Sequence, residues 1–587
     1  MKESQHVPGR FKKNKYKDAF IPLGIGAVII LLSIFSVFSN LNTLFFDSFL
    51  KIRPEIKQDS RILLLDVNDL AIDKLGAWPW PRNYMADALI TMSEFGVRSV
   101  VFDIEYNTPS PAGINRKYLD ENVKRNFKEA FTDLSSEFSN LFSAIKEKRI
   151  SIEDADYFAS DLISYTDYTK EELYADVQHI AIDNDEYLSK AIDFFGNVTT
   201  AYRFLEEENK NLTEDDRTYI TSLITLNVKA EKSPAERYVD ILPTLASMIE
   251  RGKLSGFVNV EVDSDGKRRR IMPIEFMKGN YYGQLIFSTV LDWLGNPEVV
   301  LEKRKLTLKG AQYEDGVFDV VIPLEADGTM LVNWPHRTYD DSFKHLSIYY
   351  LVNYNKFFTD LASNISLLEM RDSLKLLPEN PVSYLNEEKA YVDYLLENAL
   401  TEQTEESIEE YKLAKEQWLI SIEDFLSQNY NSLLQKEILK REEAADWNQR
   451  TLLAEERKNT EILFGNLKKN IEDIRTNQKL LRSQLEGTLC LIGYTGTGTS
   501  DIGANPFQKE YINVGTHASA ANTIFQREFL RSTPEWVSLA LSVILPFILF
   551  LFARKLNPMK QSFLGIGTIL LTIIVSGALF IYTGIFF

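Results

Sequence analysis

The apolar residues of this chain are concentrated in three long runs at its two ends. The runs cover residues 19–46, 536–553 and 561–587, and none of them contains a charged residue. A membrane-spanning helix needs about 20 mainly apolar residues, which each run supplies or nearly supplies. Pro546 lies inside the second run, where a bilayer tolerates it as a kink. The pattern predicts three transmembrane helices.

The first run also has a second interpretation, a cleaved signal peptide, because a basic stretch precedes it. An uncleaved anchor is favoured, since the apolar stretch is long for a signal peptide and no A-x-A-like site follows. Residues 1–18 and 554–560 are rich in Lys and Arg, which flank the cytoplasmic ends of spans. We therefore predict that both are cytoplasmic and that residues 47–535 lie outside. The last helix then ends at the outer face of the inner membrane.

Shorter apolar runs in the outer region have the length of strands. The runs "RILLLDV" (61–67) and "RSVVFDIEY" (98–106) flank a helix-like segment, "MADALITMSEFGV" (85–97). Strand, helix and strand in about 45 residues predict a βαβ unit with parallel strands. "GTLCLIGY" (487–494) reads as another buried strand, and residues 512–529 as a short strand and a helix. The fold class is therefore α/β.

Two segments of this outer region differ in composition from the strand-like runs and are predicted to be helical insertions. Residues 111–180 are acidic, and residues 355–485 are long and charged, with approximate heptad spacing near their end. We predict coiled-coil-like helices that split the α/β domain. Mixed charges favour a solvated decoration, and a dimer or partner surface is the alternative.

Composition excludes several classes of function. The formal net charge of −19 argues against a nucleic-acid partner. Cys490 is the single cysteine, so no internal disulfide forms. No nucleophile–base–acid set, cofactor fingerprint or metal-ligand spacing is recognisable, so we predict no catalytic residues, no cofactor and no metal.

The stretch "GAWPWPRNY" (76–84) joins the first strand to its helix. Its prolines fix φ and make a stiff bend, with Pro81 placed to begin a helix. One interpretation is a structural corner in which Arg82 pairs with a carboxylate at a strand end. The other places Trp78, Trp80 and Arg82 in a ligand pocket, because open α/β sheets bind ligands at the carboxyl ends of their strands.

Four further polar residues are candidates for the same sheet edge. Asp66 and Asp103 end two putative parallel strands, Asp501 follows a glycine-rich loop, and His517 begins a helix. The aspartates either hold a cation or form salt bridges, and the salt bridges are favoured. His517 is a candidate for ligand binding or pH sensing, although a capping role is more common at such a position.

Four stretches together resemble one known family, the second type of the cyclases/histidine kinases associated sensory extracellular (CHASE) domain. They are "LLLDVNDLAIDKLGAWPWPRNYMADALITMSEFGVRSVVFDIEYNTPS", "DNDEYLSKAIDFFGNV", "GFVNVEVDSDGKRRRIMPIEF" with "QLIFSTVLDWLG", and "LCLIGYTGTGTSDIGANPF…INVGTHASAANTIF". The resemblance implies the sensing half of a membrane-bound signalling protein, normally coupled to a cytoplasmic adenylate or guanylate cyclase or a kinase. It also implies a homodimer that responds to a small-molecule or protein ligand.

The chain departs from that pattern in three respects. The helical insertions split the domain, Asn505-Pro506 stands where relatives often have Thr-Pro, and two spans follow the sensor where relatives usually have three and then a catalytic domain. Either the chain is a truncated or split product, or it signals through a partner in the membrane. Two other functions stay open: an extracytoplasmic hydrolase-like enzyme acting through Asp66, Asp103 and Asp501, and a scaffold protein that uses its helical arm.

Overall fold

A seven-stranded sheet forms the centre of the molecule. The computed structural model describes residues 24, 36–114, 118–178, 180–377, 380–499 and 501–587. In chain order the strands are β1 (Ile62–Val67), β2 (Ser99–Phe102), β3 (Val198–Leu205), β4 (Asp240–Leu242), β5 (Leu254–Phe257), β6 (Lys344–Ser347) and β7 (Leu489–Tyr494). Their spatial order is β6-β1-β7-β2-β3, with β5 parallel and β4 antiparallel to β3. The α/β prediction is thus confirmed for this sheet, and β7 enters it between β1 and β2.

Both faces of the sheet are covered, which explains the unbroken apolar runs of its strands. Alternate side chains of β1 point to opposite faces: Leu63 and Leu65 join one core, and Ile62 and Leu64 join the other. The first face carries the helices Asn83–Glu94, Asn184–Phe195 and Ala246–Arg251. The second face carries Leu285–Trp293 and Val514–Gln526. We refer to them as the first and second face.

Smaller sheets and hairpins surround the second face. An antiparallel sheet is formed by Glu298–Glu302, Lys305–Tyr313 and Gly316–Pro323, with Val228–Ala230 beside the first of them. Gly266 and Gly328 adopt φ values of 80° and 90° in two Asp-Gly turns. The remaining short elements are Asp69–Leu75, Glu214–Ile224, Thr225–Leu226, Arg270–Ile271, Ile274–Met277, Asn280–Gly283, Met330–Leu331, Ile502–Gly503 and Tyr511–Ile512.

The second insertion is a helical bundle that shares the core of the first face, and not a solvated arm. Its helices are Tyr349–Glu369, Ser383–Glu402, Glu405–Ser427, Tyr430–Ala444 and Trp447–Leu485, with a 3₁₀ turn at Asp372–Leu376. Buried residues such as Leu351, Trp418 and Leu485 belong to one cluster with Leu63. One charged residue of the bundle, Lys415, is itself buried and donates to Glu94 of the first-face helix Asn83–Glu94 at 2.6 Å.

The first insertion is an exposed helical hairpin. Helices Lys124–Lys146 and Ile152–Gln178 form its two legs, and a short π-helical turn, Leu119–Val123, precedes the first. The two-residue strands Gly113–Ile114 and Ala181–Ile182 pair antiparallel at its base. Aromatic side chains such as Phe142 and Tyr168 are exposed. Both legs of this hairpin fall within the residues 111–180 of the predicted insertion.

Two helices near the C-terminus are long and apolar enough to cross a membrane. Among the described residues they are Trp536–Ala553, within the helix Glu535–Ala553, and Pro558–Thr583, with mean hydropathies of 2.5 and 2.4. The structure starts the second of them at Pro558, so the loop between the two is shorter than the predicted 554–560. Most of the predicted first span, 19–46, lies outside the described residues, as does the basic segment 1–18; the described helix there is Ser36–Ile52.

The last helix returns to the base of the outer domain. Arg53 donates from Nη1 to the carbonyl oxygens of Phe580 and Ile581, at 2.9 and 3.0 Å. Residues Arg531–Ser532 pair in parallel with Ile585–Phe586. The ends of the first and last helices therefore lie together, on the side of the domain where both adjoin it.

Candidate functional site

The seven candidate residues from the sequence lie on opposite faces of the central sheet. Trp78 and Trp80 pack into the core of the first face, and Arg82 begins a helix on the same side. Asp66 follows Ile62 and Leu64 at the two-residue period of a strand, so its side chain points to the second face. Asp103, Asp501 and His517 are also on that side. One pocket does not contain them all.

The tryptophans form a structural corner at the end of β7. The ring of Trp78 stacks on Tyr494, with centroids 5.7 Å apart, and meets Trp80 edge-on at 5.2 Å. The indole Nε1 of Trp80 donates to the carbonyl of Gly76 at 2.7 Å. The indole N–H of Trp80 is thus satisfied within the chain, and Trp78 is held by ring contacts alone.

Arg82 does not pair with a strand-end aspartate, which corrects that part of the prediction. Its guanidinium donates to the carboxylate of Asp185 and to the carbonyl of Thr108, and lies 4.9 Å from the ring of Tyr106. Asp185 also accepts from the backbone N–H of Ser110 at 2.8 Å. Arg82 therefore ties the loop after β2 to the helix Asn184–Phe195, which is a structural role.

Asp66 forms a closed pair with His345. One carboxylate oxygen accepts from the Tyr339 hydroxyl and the other faces Nδ1 of His345, both at 2.7 Å. Nε2 of His345 faces the carbonyls of Tyr339 and Ser342 at 3.0 and 2.8 Å. Because every partner of the ring is an acceptor, both nitrogens carry protons and the imidazolium is favoured.

The charge of this pair is reflected in the pKa of His345. Burial by itself lowers that pKa, but the hydrogen bond to Asp66, its negative charge and the two carbonyls outweigh burial and raise it above the usual value. Sequence reasoning missed both His345 and Tyr339. The available signal was the strand-like "KHLSIYY", whose histidine falls on the strand next to Asp66.

Asp103 forms an open pair with His517. Oδ1 of Asp103 lies 3.4 Å from Nε2 of His517, while Oδ2 is buried without a hydrogen-bond partner among the described residues. Nδ1 of His517 faces Nε2 of Gln284 at 3.0 Å. Since Oε1 of Gln284 accepts from the backbone of Ile286 and Phe287, its NH₂ group must face the ring. Nδ1 is therefore the acceptor, and the ring proton sits on Nε2 toward Asp103.

A buried arginine and a third aspartate complete the cluster around Asp103. The guanidinium of Arg268 lies over Gly503, where an added Cβ would come within 2.5 Å of Cζ. Its Nε and Nη1 are buried and have no partner among the described residues. Burial lowers the pKa of Arg268, against the opposing charges of Asp501 and Asp103. Arg268 was not among the candidate residues that the sequence indicated.

Asp501 accepts a hydrogen bond from the side chain of Asn513. The residue as a whole is exposed, yet its carboxyl group is close enough to the cluster for desolvation, and then the charge of Asp103, to raise its pKa. The acids Asp103 and Asp501 thus share one electrostatic environment, as the sequence suggested for the sheet edge. We call Asp103, Arg268, Asp501, Asn513 and His517 the open cluster.

A strand separates Asp66 from the open cluster. Asp66 is in register with Gly493 of β7, and the N–H of Asp103 bonds to Ile492 of the same strand at 2.9 Å. Two strand spacings amount to roughly 10 Å. A Cβ at Gly493 would lie 2.8 Å from Cβ of Val514, so the helix Val514–Gln526 fills the space on this face. Asp66 and Asp103 therefore do not form the shared acid site that the enzyme hypothesis needs.

The described residues contain no group of three or more His, Cys, Asp and Glu side chains arranged to hold a metal ion. The open cluster has two acids and one histidine, but the cation of Arg268 occupies the same environment. A guanidinium opposes a second positive charge. The geometry does not favour a cation as the ligand of this cluster.

A second charge network, which sequence reasoning missed, joins the first helix to the domain. Asp47 of the helix Ser36–Ile52 accepts from Nε and Nη2 of Arg269, at 2.7 and 2.9 Å, and from Lys267 at 2.5 Å. Arg269, 2% exposed, also binds Asp263 and Asp265. We call these contacts the Asp47 clamp. Arg269 directly follows Arg268, so one loop reaches both the clamp and the open cluster.

Comparison with known proteins gives one match. The family model described as the CHASE2 domain matches residues 24–375. Neither a curated protein nor a solved structure matches significantly. The match includes β1 to β6, the Asp47 clamp and Arg268. Strand β7 and His517 lie beyond it, although β7 completes the sheet between two matched strands.

Proposed function

The chain belongs to the CHASE2 domain family, a family of extracellular sensory domains, and from this premise we propose that it is the sensory module of a membrane signalling system. The outer domain, residues 47–535, detects a ligand in the periplasm, and helices in the inner membrane carry the change inward. The output is a cytoplasmic cyclase or kinase, or a membrane partner that controls one.

The Asp47 clamp is the observation that carries this proposal. A carboxylate on the first helix is 4% exposed and is held by a buried arginine of the outer domain. Removing one member of such a pair leaves an uncompensated buried charge, so the contact is maintained or broken as a whole. A displacement of the loop 263–269 therefore moves the helix Ser36–Ile52.

The contacts of the last helix support the same topology. Arg53 bonds to its final turn, and Phe49 lies against Gly577, where an added Cβ would be 3.0 Å from the ring. The first and last apolar helices thus meet the domain at one base. A domain joined to several helices at one base can shift them together, and a coupling free energy of about 1–3 kcal/mol biases a two-state output.

The proposed assembly is a homodimer, since a change in pairing between two copies is a simple way to pass a signal through single helices. This part rests on the family resemblance. Cross-linking of the full chain in membranes tests it: a dimer-sized product is expected, and a product confined to the monomer would contradict it.

Topology is tested by labelling single cysteines in intact cells. Cys490 is fully buried, and burial raises the pKa of its thiol, so it gives a silent background. We expect a membrane-impermeant maleimide to label Ser427→Cys from outside. The matched variant Lys555→Cys, in the loop between the last two helices, should react only after permeabilisation. The reverse pattern would contradict the proposed location.

A further inference from the structure

The open cluster contains more unpartnered buried polar atoms than a closed structural network should. Besides Asp103 Oδ2 and two nitrogens of Arg268, Oδ1 of Asn513 is buried without a partner among the described residues. A buried polar group left unsatisfied carries the full cost of its lost hydration. Native structures rarely keep several such atoms together unless a ligand or ordered water satisfies them.

The atoms also differ in kind, which restricts what satisfies them. Asp103 Oδ2 and Asn513 Oδ1 accept hydrogen bonds only, whereas Nε and Nη1 of Arg268 donate only. The side chain of Asp103 is 9% exposed, and its other oxygen faces His517. A ligand that fits must therefore present donors on one side and acceptors on the other.

The charges of the cluster restrict the ligand further. One guanidinium stands against two carboxylates, so an anion alone is repelled by Asp103 and Asp501. A cation alone is opposed by Arg268. A molecule that carries both charges, spaced by a few bonds, meets each of these groups with the opposite sign.

We infer that the open cluster binds a small zwitterion of the amino-acid class. This inference rests on the proposed sensory function and gives it a ligand chemistry. Arg268 binds the carboxylate of the ligand, and Asp103 Oδ2 with Asn513 Oδ1 accepts the N–H groups of its ammonium. His517, fixed by Gln284, positions Asp103. Gly503 permits the close approach of the guanidinium, because any side chain there would meet it at 2.5 Å.

The site is also placed for signalling. The backbone N–H of Arg268 bonds to the carbonyl of Ala504 at 2.7 Å, so the loop that carries Arg268 is attached to the segment after Asp501. The next residue, Arg269, holds Asp47. A carboxylate that pulls on Arg268 therefore acts one peptide unit away from the clamp.

The test is a ligand titration of the full-length protein in detergent micelles or nanodiscs, read by thermal unfolding and calorimetry. The probes are the common α-amino acids, with acetate, methylamine and glycine betaine as partial ligands. We expect at least one amino acid to bind and raise the unfolding temperature. Acetate and methylamine each lack one charge, and betaine lacks N–H donors, so all three should bind at least about tenfold more weakly.

Variants locate the binding site. Asp103→Asn and Arg268→Gln should each weaken binding by about tenfold or more. Arg270→Gln is the matched control, because Arg270 pairs with Asp263 on the same loop and lies outside the open cluster. It should bind as the unchanged protein does. Unfolding curves recorded without ligand check that each variant is folded. Gly503→Ala, which crowds the guanidinium of Arg268, should also weaken binding.

Two outcomes would overturn the inference. One is that none of the amino acids binds to the folded protein; the other is that Asp103→Asn and Arg268→Gln retain full binding. Either result leaves the proposed sensory function testable on its own, because the cysteine-labelling pattern does not depend on any ligand. Reversed labelling with intact amino-acid binding would instead reject the proposed location and keep the site.

Discussion

Two aspartate–histidine pairs lie at the same edge and on the same face of one sheet, with strand β7 between them. Their hydrogen bonds differ. Both carboxylate oxygens of Asp66 and both ring nitrogens of His345 have partners within the chain. In the Asp103 pair one carboxylate oxygen is unpartnered, and His517 accepts from Gln284 through its other nitrogen. The first pair is complete without a ligand, and the second is not.

The difference shows that residue type and sheet position do not decide whether a polar pair is structural or functional. What decides is whether the rest of the chain completes its hydrogen bonds. Breaking a closed pair should lower the free energy of unfolding and should not affect ligand binding. Altering an open pair should change the free energy of unfolding little and should weaken ligand binding. The following predictions test this contrast, beginning with the largest effect.

The largest expected effect is a difference in stability between Asp66→Asn and Asp103→Asn. The two donors to Asp66 are the Tyr339 hydroxyl and Nδ1 of the charged His345. After Asp66→Asn the side chain accepts from only one of them and presents its NH₂ group to the other. We expect the free energy of unfolding to fall by about 3 kcal/mol, the scale of a broken buried pair. Asp103→Asn should change it by less than about 1 kcal/mol, because the replaced oxygen has no partner.

Urea unfolding of both variants, followed by tryptophan fluorescence, measures the contrast. Equal losses from the two substitutions would mean that Asp103 is as closed as Asp66. A negligible loss from Asp66→Asn would mean that the pair with His345 contributes nothing, contrary to its geometry.

The next effect concerns Gly493, the residue between the two pairs. Gly493→Ala would place a methyl group 2.8 Å from Cβ of Val514 and push the helix Val514–Gln526 outward. Such overpacking should cost about 2 kcal/mol. The double variant with Val514→Ala relieves the contact and should recover part of that loss. If the two substitutions add without any recovery, the helix is not held against Gly493.

A smaller effect is the pH dependence that His345 introduces. Its folded pKa is raised above the usual 6.5, so its contribution to stability is complete below that value and is lost as pH rises through the folded pKa. Between about pH 6 and pH 8 we expect the protein to lose about 1 kcal/mol that His345→Gln does not lose. His517→Gln should retain the same loss. Parallel pH profiles for the protein and His345→Gln would refute this assignment.

The smallest expected effect is at Asp501. Its folded pKa is raised, so the ionised carboxylate is disfavoured at neutral pH, and the disadvantage grows as pH rises through the folded pKa. Asp501→Asn should therefore raise the unfolding temperature at neutral pH slightly, by the equivalent of less than about 1 kcal/mol at this exposed site. The gain should shrink at about pH 3. A lower unfolding temperature at neutral pH would show that Asp501 is paired more strongly than its contacts indicate.

The sequence predicted what depends on local periodicity. The parallel strands and the helical character of residues 111–180 have strong local signals, and Asp66 and Asp103 lie at strand ends. The family assignment also came from local motifs. The βαβ unit and the first insertion each lie in one contiguous segment of the chain.

Features that depend on distant residues were missed. The position of β7 between β1 and β2 is set by pairing across some 400 residues, and the partners of Asp66 come from residues 339 and 345. The second insertion looked solvated because of its mixed charges, whereas its apolar residues pack against one another and against the core of the first face. Arg82 was assigned to the wrong carboxylate for the same reason, since Asp185 is 103 residues away.

The most direct test of the account is hydrogen–deuterium exchange over residues 41–52 of the full-length protein in nanodiscs. The central claim is that the open cluster, and not the closed pair, is connected to the first helix through Arg268, Arg269 and Asp47. Arg268→Gln should raise the exchange rate of this segment, and Asp66→Asn, at a temperature where it is folded, should leave it unchanged. An exchange rate that Arg268→Gln leaves unchanged, or that both substitutions raise equally, would contradict the claim.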